Sequence, residues 1–420
     1  MIVVTILVQL SRLLGTKLLD QAGETIGSIE DVVVYLDDDG YPLVTGVLVQ
    51  VGIDELFVPT NKIESLRKSP IALITEHTHL DPFQRRPGEV LARRDILGRE
   101  MIHIGTSHKP RLVRAGDIDL TDADGTWRVA GIDVQRRRLP WRRRQRTDSQ
   151  DHPWFLDWTD LDVFVKHVPT SLLRLRPRRL VQLYPGEIAD LVEAASPSDG
   201  EEILEALGDN EELEADVFEE LDEEHQLEMV AKRSNAEVAS LLAHMAPDDA
   251  ADLLSEIEQD RREPILYGMP AADRQRLQGL LGYNPQTAGG LMIPDGICMP
   301  GDSTVGSALE RLRREDSSSD AIDTLFLVSP DDVLIGAVRV RELIRAKPTA
   351  SLIEVGHVDP PRVRTSADLT EIALVMADYN LVTLAVVDES DHVIGAVTVD
   401  DVVELLIPKS WRRRAEVNEE

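Results

Sequence analysis

The reactive groups this chain offers in quantity are carboxylates: 76 Asp and Glu against 45 Lys and Arg, for a formal net charge of −31. A surface of that sign repels nucleic acid and anionic lipid and draws cations, so divalent ions are the ligands its composition favours. The run DIDLTDADG, residues 117 to 125, spaces four Asp in a way that invites a calcium-loop reading. An EF-hand loop wants Gly at its sixth position, where Asp122 stands, and Asp124-Gly125 reads as the turn of a hairpin. Residues 136 to 146, RRRLPWRRRQR, are a basic island. Arg with one Trp could grip phosphates or stack a base, and the competing reading is an interdomain linker that docks on acidic surface.

Other chemistry is sparse. Cys298 is the sole cysteine, which leaves no intrachain disulfide and no Cys-rich zinc site, and fits a reducing cytosol. His103, His108 and His225 are scattered, not at ligand spacing, and no Ser/His/Asp or Cys/His grouping, P-loop or Rossmann fingerprint occurs, so no enzymatic activity is expected. The N-terminal MIVVTILVQL lacks a basic n-region and is too short to span a bilayer, so it reads as a first strand. No later segment reaches the roughly 18 to 20 apolar residues a membrane helix needs, which points to the cytoplasm without membrane insertion.

Three patterns must position whatever site exists. Residues 1 to about 70 alternate apolar and polar at period two, with a turn at Asp39-Gly40, and residues 92 to 134 echo them: ILGREMIHI parallels LLGTKLLDQ. From Leu180 to about Leu281 the period becomes helical, in similar short units such as ADLVEAASP, ADVFEELDE and ASLLAHMAP. Residues 301 to 408 hold a duplication, LFLVSPDDVLIGAVRVRELI and LAVVDESDHVIGAVTVDDVVELL, each strand, turn, strand, helix after a preceding helix. At 420 residues the chain should divide into two to four domains.

The first pattern resembles the PRC-barrel family, and the duplicated unit resembles the CBS domain pair, an adenosine-nucleotide-sensing module. Acidic helical repeats, then YNPQTAGGLM at 283 to 292, then the CBS-like pair, together resemble the cytosolic region of MgtE magnesium channels. The expected architecture is multidomain α+β: a small PRC-like β-barrel (1–75), a degenerate second β unit (76–135), a basic linker (136–179), an all-α acidic helical domain (180–282), a hinge (283–300), CBS 1 (301–350), CBS 2 (351–408) and a tail (409–420). In the hinge, Pro285 is expected to end the last helix and Gly289-Gly290 to give the backbone freedom.

The MgtE resemblance implies that Mg²⁺ neutralises carboxylates between the helical domain and the CBS pair and closes them together. Its ligand positions fall on Asp216, Asp248, Asp252, Asp401 and Glu404, all acidic, with the Ala377 carbonyl and Asn380, where the family has an acid. Taken singly, Asp248 also suits a helix start, and Asp401 with Glu404 has capping-box spacing. The CBS resemblance implies a ribose-binding G-h-h-[ST]-x-x-D pattern, met by Gly395, Thr398 and Asp401 and not by Gly336, Arg339 and Glu342. Cofactors are then Mg²⁺ and either ATP or AMP, or the pair serves as a plain dimerisation module without nucleotide. The expected partners are a second copy through the CBS pair and a protein partner or a membrane transporter in trans. Where the family continues into pore helices this sequence reads PKSWRRRAEVNEE, with Lys409, Arg412 and Arg413 at its plug-facing acidic positions, so a magnesium-responsive regulator is expected, not a channel. The alternative is a metal-independent scaffold that binds a partner through the PRC-like region.

Overall fold

Each change of period along the chain marks a change of architecture in the structure, a computed structural model describing residues 7–36, 40–74, 80–105, 109–123, 125–134, 154–163, 179–208, 210–294, 298–314 and 323–407. The basic island at 136 to 146, Asp124, His108, Lys409, Arg412 and Arg413 lie outside the described residues. Two compact units form, Met1–Leu221 and Asp222–Glu420, and the fold is mixed α+β.

The first unit opens with a curled sheet. Its first half holds β1 (Val8–Gln9), the single helical turn α1 (Leu10–Leu13), β2 (Lys17–Leu19), β3 (Thr25–Tyr35), β4 (Leu43–Val51), β5 (Asp54–Pro59), β6 (Ile71–Ala72) and β7 (Asp81–Pro82). The second half holds β8 (Glu89–Leu91), a π turn at Ala92–Ile96, β9 (Glu100–His103), β10 (Arg111–Ala123), β11 (Thr126–Val134), β12 (Phe155–Asp157) and β13 (Leu161–Val163). The order runs β13-β9-β10-β11-β4-β3-β2-β6, with β1 on β10, β5 on β4 and β8 on β3. One core crosses both halves, with Leu10, Leu18, Ile29, Met101, Ile118 and Ile132 fully buried.

The halves repeat each other in detail. Gly15 and Gly98 both take φ +77°, a conformation that costs a side chain with a Cβ, and so end the turn of each half. Gly15 N–H donates to the Ile29 carbonyl at 2.8 Å and Gly98 N–H to the Ala115 carbonyl at 2.7 Å; Ile29 N–H returns to Thr16 at 2.9 Å and Ala115 N–H to Arg99 at 3.0 Å. The DIDLTDADG run is a hairpin, β10 to β11, with Gly125 at φ +82° and its N–H on Asp122 Oδ1 at 2.9 Å. Of the N-terminal apolar run, the described strand is only Val8–Gln9.

The expected linker at 136 to 179 needs correcting. Within it, Phe155–Asp157 pairs with β11 and Leu161–Val163 with β9, and Trp158 and Leu161 join the core. Val134 N–H donates to the Trp154 carbonyl at 3.0 Å, so the chain leaves and rejoins the sheet at one place. The first half spends two residues, Gly52 and Ile53, on the same connection between β4 and β5.

Helices of ten residues follow: α2 (Pro185–Ala194), α3 (Pro197–Ala206) and α4 (Glu211–Glu220), then, in the second unit, α5 (Glu223–Lys232), α6 (Asn235–His244), α7 (Pro247–Glu256), α8 (Gln259–Gly268) and α9 (Ala271–Leu280). Their N-caps recur every 12 residues from Asp222 through Ser234, Ala246, Glu258 and Pro270. Asp222 and Ser234 accept from backbone N–H groups of their own first turns, and Pro247 stands at N1, where no N–H is needed. Within the second unit, α6 packs on α8 and α7 on α9.

Two similar α/β modules complete the second unit. The first has β14 (Cys298–Pro300), α10 (Val305–Arg314), β15 (Thr324–Val328), β16 (Leu334–Arg339), α11 (Val340–Arg345), α12 (Leu352–Val355) and β17 (His357–Val358). The second has β18 (Arg362–Arg364), α13 (Leu369–Tyr379), β19 (Thr383–Val387), β20 (Val393–Thr398) and α14 (Val399–Leu406). Both hairpins carry the same register shift, at Leu327/Val328 and at Val386/Val387. β17 pairs with β16 and Leu352 sits in the first module's core, so that module runs from 298 to 358, not 301 to 350.

Candidate functional site

The TAGGLM segment is docked on the second α/β module. Ala288 N–H donates to the Ala367 carbonyl and Gly289 N–H to the Thr365 carbonyl, both at 2.9 Å, and Ile293 exchanges bonds of 2.8 and 3.0 Å with Ala396. Ala288, Leu291 and Met292 are buried. The two glycines are explained by close approach: neither has positive φ. A Cβ on Gly289 would stand 2.6 Å from the Tyr283 ring, and one on Gly290 2.6 Å from Pro285 Cα. The last helix ends at Leu280, before Pro285 is reached.

The carboxylates among the expected magnesium ligands sit on three helices, and Ala377 with Asn380 at the end of a fourth, α13. Asp216 is half-buried in the middle of α4, in the first unit. Asp248 and Asp252 are four apart on α7, hence on one side of it. Asp248 lies in the first turn, as the helix-start reading has it, yet it is buried, which a dipole-complementing surface acid does not require. Asp252 faces solvent, but the surrounding protein displaces enough water, with Glu256 one turn on, to raise its carboxyl to about 6.

Asp401 and Glu404 lie on α14. The N-cap there is Thr398, so these two acids are not a capping box. Burial raises the Asp401 carboxyl to about 6, against a hydrogen bond from Thr398 and with added repulsion from Asp400 and Glu404. Among the described residues, no Lys, Arg or His stands within ion-pair distance of Asp252 or Asp401. Carboxylates desolvated or crowded by like charge, without a compensating cation, suit a hard divalent ion that brings oxygen ligands together.

The ribose-type pattern is assembled only in the second module. Thr398, buried, donates Oγ1 to Asp401 Oδ2 at 2.6 Å. Gly395 lies under the docked segment, where a Cβ would meet Ile293 O at 2.8 Å and Met292 Sδ at 2.9 Å. In the first module Glu342 turns back on its own helix, accepting from Arg339 N–H at 3.1 Å, with His357 Nε2 3.3 Å from its other oxygen. One contact lay outside the expected set: Arg339 Nη2 donates to the Asn380 carbonyl at 3.4 Å. The signal for it was compositional, since α13 has no basic residue in its last turn.

Two parts of the chain match known families. Residues 183–286 match the MgtE intracellular N domain family, and residues 354–408 match the CBS domain family. The magnesium transporter MgtE of Thermus thermophilus is 30% identical, the match covering 45% of this chain and 48% of that protein. MgtE of Bacillus subtilis is 27% identical over 46% of this chain and 43% of its own length. The chain thus spans about half the length of the curated relatives it matches. The crystal structure of the cytosolic domain of the Mg²⁺ channel MgtE in complex with ATP superimposes with a TM-score of 0.52 and 28% identity, over 56% of this chain and 94% of that one. The soluble part of a magnesium transporter has the same fold over 54% of this chain and 89% of that one, at 24% identity and a TM-score of 0.51. The helical and CBS parts of this chain are therefore related to the cytosolic region of MgtE magnesium transporters, and no described helix is long and apolar enough to cross a membrane.

Proposed function

We propose that the chain is a magnesium-responsive regulatory protein of the cytoplasm, in which Mg²⁺ bound by carboxylates shifts the molecule toward a closed state. The carrying observation is the pair Asp252 and Asp401, both raised to about 6 with no Lys, Arg or His among the described residues within ion-pair distance. Asp248 and Glu404 share their helices, and Asp216 is the further acid of the set. Bringing such groups together without an ion costs about 4 kcal/mol per close pair at an effective dielectric near 20, and a divalent ion reverses the sign. Magnesium at ~1 mM against a site of ~0.1 mM would add about 1.4 kcal/mol per site, so several sites suffice to move a conformational equilibrium.

In this reading Thr398 and Asp401 hold the ribose of ATP or AMP beside Gly395, and the CBS pair joins two copies. The exposed Leu374 of α13 and Val403 and Leu406 of α14, helices that pack together, are apolar surface for that contact. No catalytic role is assigned. Limited proteolysis across residues 281 to 294 tests the proposal: magnesium should protect the segment relative to chelator, and identical cleavage would sink it. A scaffold that binds a partner independently of metal would keep its assembly and its partner after Asp248→Asn and Asp252→Asn, with no response to magnesium before or after.

A further inference from the structure

The C-terminal end of α13 is the expected subsite of Ala377 and Asn380, and the residues there suit a different cation. A helix end leaves carbonyls without intrahelical partners and carries negative potential, which a cation relieves. The corresponding helix of the first module, α10, supplies Arg311, Arg313 and Arg314 in its own last turn; α13 supplies none. Asn380 closes α13 in the left-handed conformation, φ 50°, with its N–H on the Ala377 and Met376 carbonyls. Its side chain is a neutral amide, a poor exchange for the water magnesium must shed.

The guanidinium of Arg339 reaches this end from the other module, 3.4 Å from the Asn380 carbonyl. Arg339 is the first module's counterpart of Thr398: Thr324 pairs with Arg339 as Thr383 pairs with Thr398. Glu342 fixes its backbone by accepting from its N–H. An arginine there carries a permanent charge and N–H donors that a helix-end carbonyl can accept.

We propose that Arg339 is the built-in cation of this subsite, bridging the two modules in place of a metal, so that the Ala377/Asn380 position binds no magnesium. The consequence, fewer ions needed for closure, rests on the magnesium-responsive reading; the assignment of Arg339 does not.

Calorimetric titration of the full chain with magnesium chloride alone counts sites relative to wild type, with circular dichroism confirming the fold of each variant. Asn380→Asp should leave the count unchanged, because the new carboxylate pairs with Arg339. Asn380→Asp with Arg339→Gln should add one site per chain, and Asn380→Asp with Arg339→Lys should add none. A site gained by Asn380→Asp alone, or none gained with Arg339→Gln, overturns the assignment. A wild-type chain without sites beside an Asn380→Asp/Arg339→Gln chain with one would end the magnesium-responsive reading and leave Arg339 in its role.

Discussion

Asp31 and Asp117 occupy equivalent positions in the two halves of the curled sheet, and each holds the turn that belongs to the other half. Asp31 accepts from the backbone N–H groups of Arg93 and Arg94 at 2.7 and 3.2 Å, while Asp117 accepts from Ser11 N–H at 3.1 Å and from its hydroxyl. Each also accepts from the next N–H along its own strand, Val32 at 2.8 Å and Ile118 at 2.9 Å. This exchange makes the halves one folding unit, since neither turn is satisfied within its own half. Asp31 is fully buried, and burial raises its carboxyl to about 6 despite those hydrogen bonds.

Removing Asp31 should therefore cost more than removing Asp117. Asp31→Ala strands three backbone donors around a fully buried position, the one on Val32 inside the core, for about 3 kcal/mol or more, while Asp117→Ala at a half-buried position costs about 1 to 2 kcal/mol. Urea unfolding followed through the buried Trp127 and Trp158 measures both, and equal losses would refute the asymmetry.

Gly290→Ala should undock the TAGGLM segment. The added methyl meets the Asn284 carbonyl and Pro285 Cα, backbone atoms that cannot rotate away, at a cost of about 1 to 3 kcal/mol. Cleavage between 281 and 294 should accelerate several-fold. Gly279→Ala, with nothing within 4 Å and a helical position, serves as control and should stabilise slightly.

Adenine nucleotide affinity should depend on one module only. Thr398→Val and Asp401→Asn should weaken ATP or AMP binding by roughly tenfold or more, the worth of a hydrogen bond to a charged group. Glu342→Gln should leave it unchanged, because that carboxylate is already committed to Arg339 and His357. Comparable losses at Glu342 and Asp401 would contradict the assignment.

Stability and magnesium response should both vary with pH, in opposite directions. Asp252 and Asp401, raised from 3.8 to about 6, bind protons more tightly folded than unfolded. From about pH 4 to 6 the folded chain holds the extra protons, so stability falls as pH rises through that window and the cost is fully present above it. Magnesium competes with those protons. Its thermal stabilisation should be largest above about pH 7 and fall by roughly tenfold in affinity per carboxylate near pH 5. A pH-independent shift in melting temperature would rule these two acids out as ligands.

Legibility followed the range of the interactions. Helices α5 to α9 could be read because caps and apolar spacing recur locally, and the CBS-like hairpins because their turns repeat. Residues 155–163 read as linker because three-residue strands carry almost no periodicity, and their counterpart in the first half follows after two residues, not twenty. Asp31 and Asp117 carry no local sign of their role, since their partners lie 62 and 106 residues away. Gly289 and Gly290 were expected to supply freedom; what demands them is Tyr283, Asn284 and Pro285 pressing on their faces.

Small-angle scattering of the full chain in chelator and in saturating magnesium tests the central claim most directly. The account predicts a smaller radius of gyration with magnesium, and no change for the combined Asp248→Asn, Asp252→Asn and Asp401→Asn variant. Superimposable wild-type curves in the two conditions would contradict it.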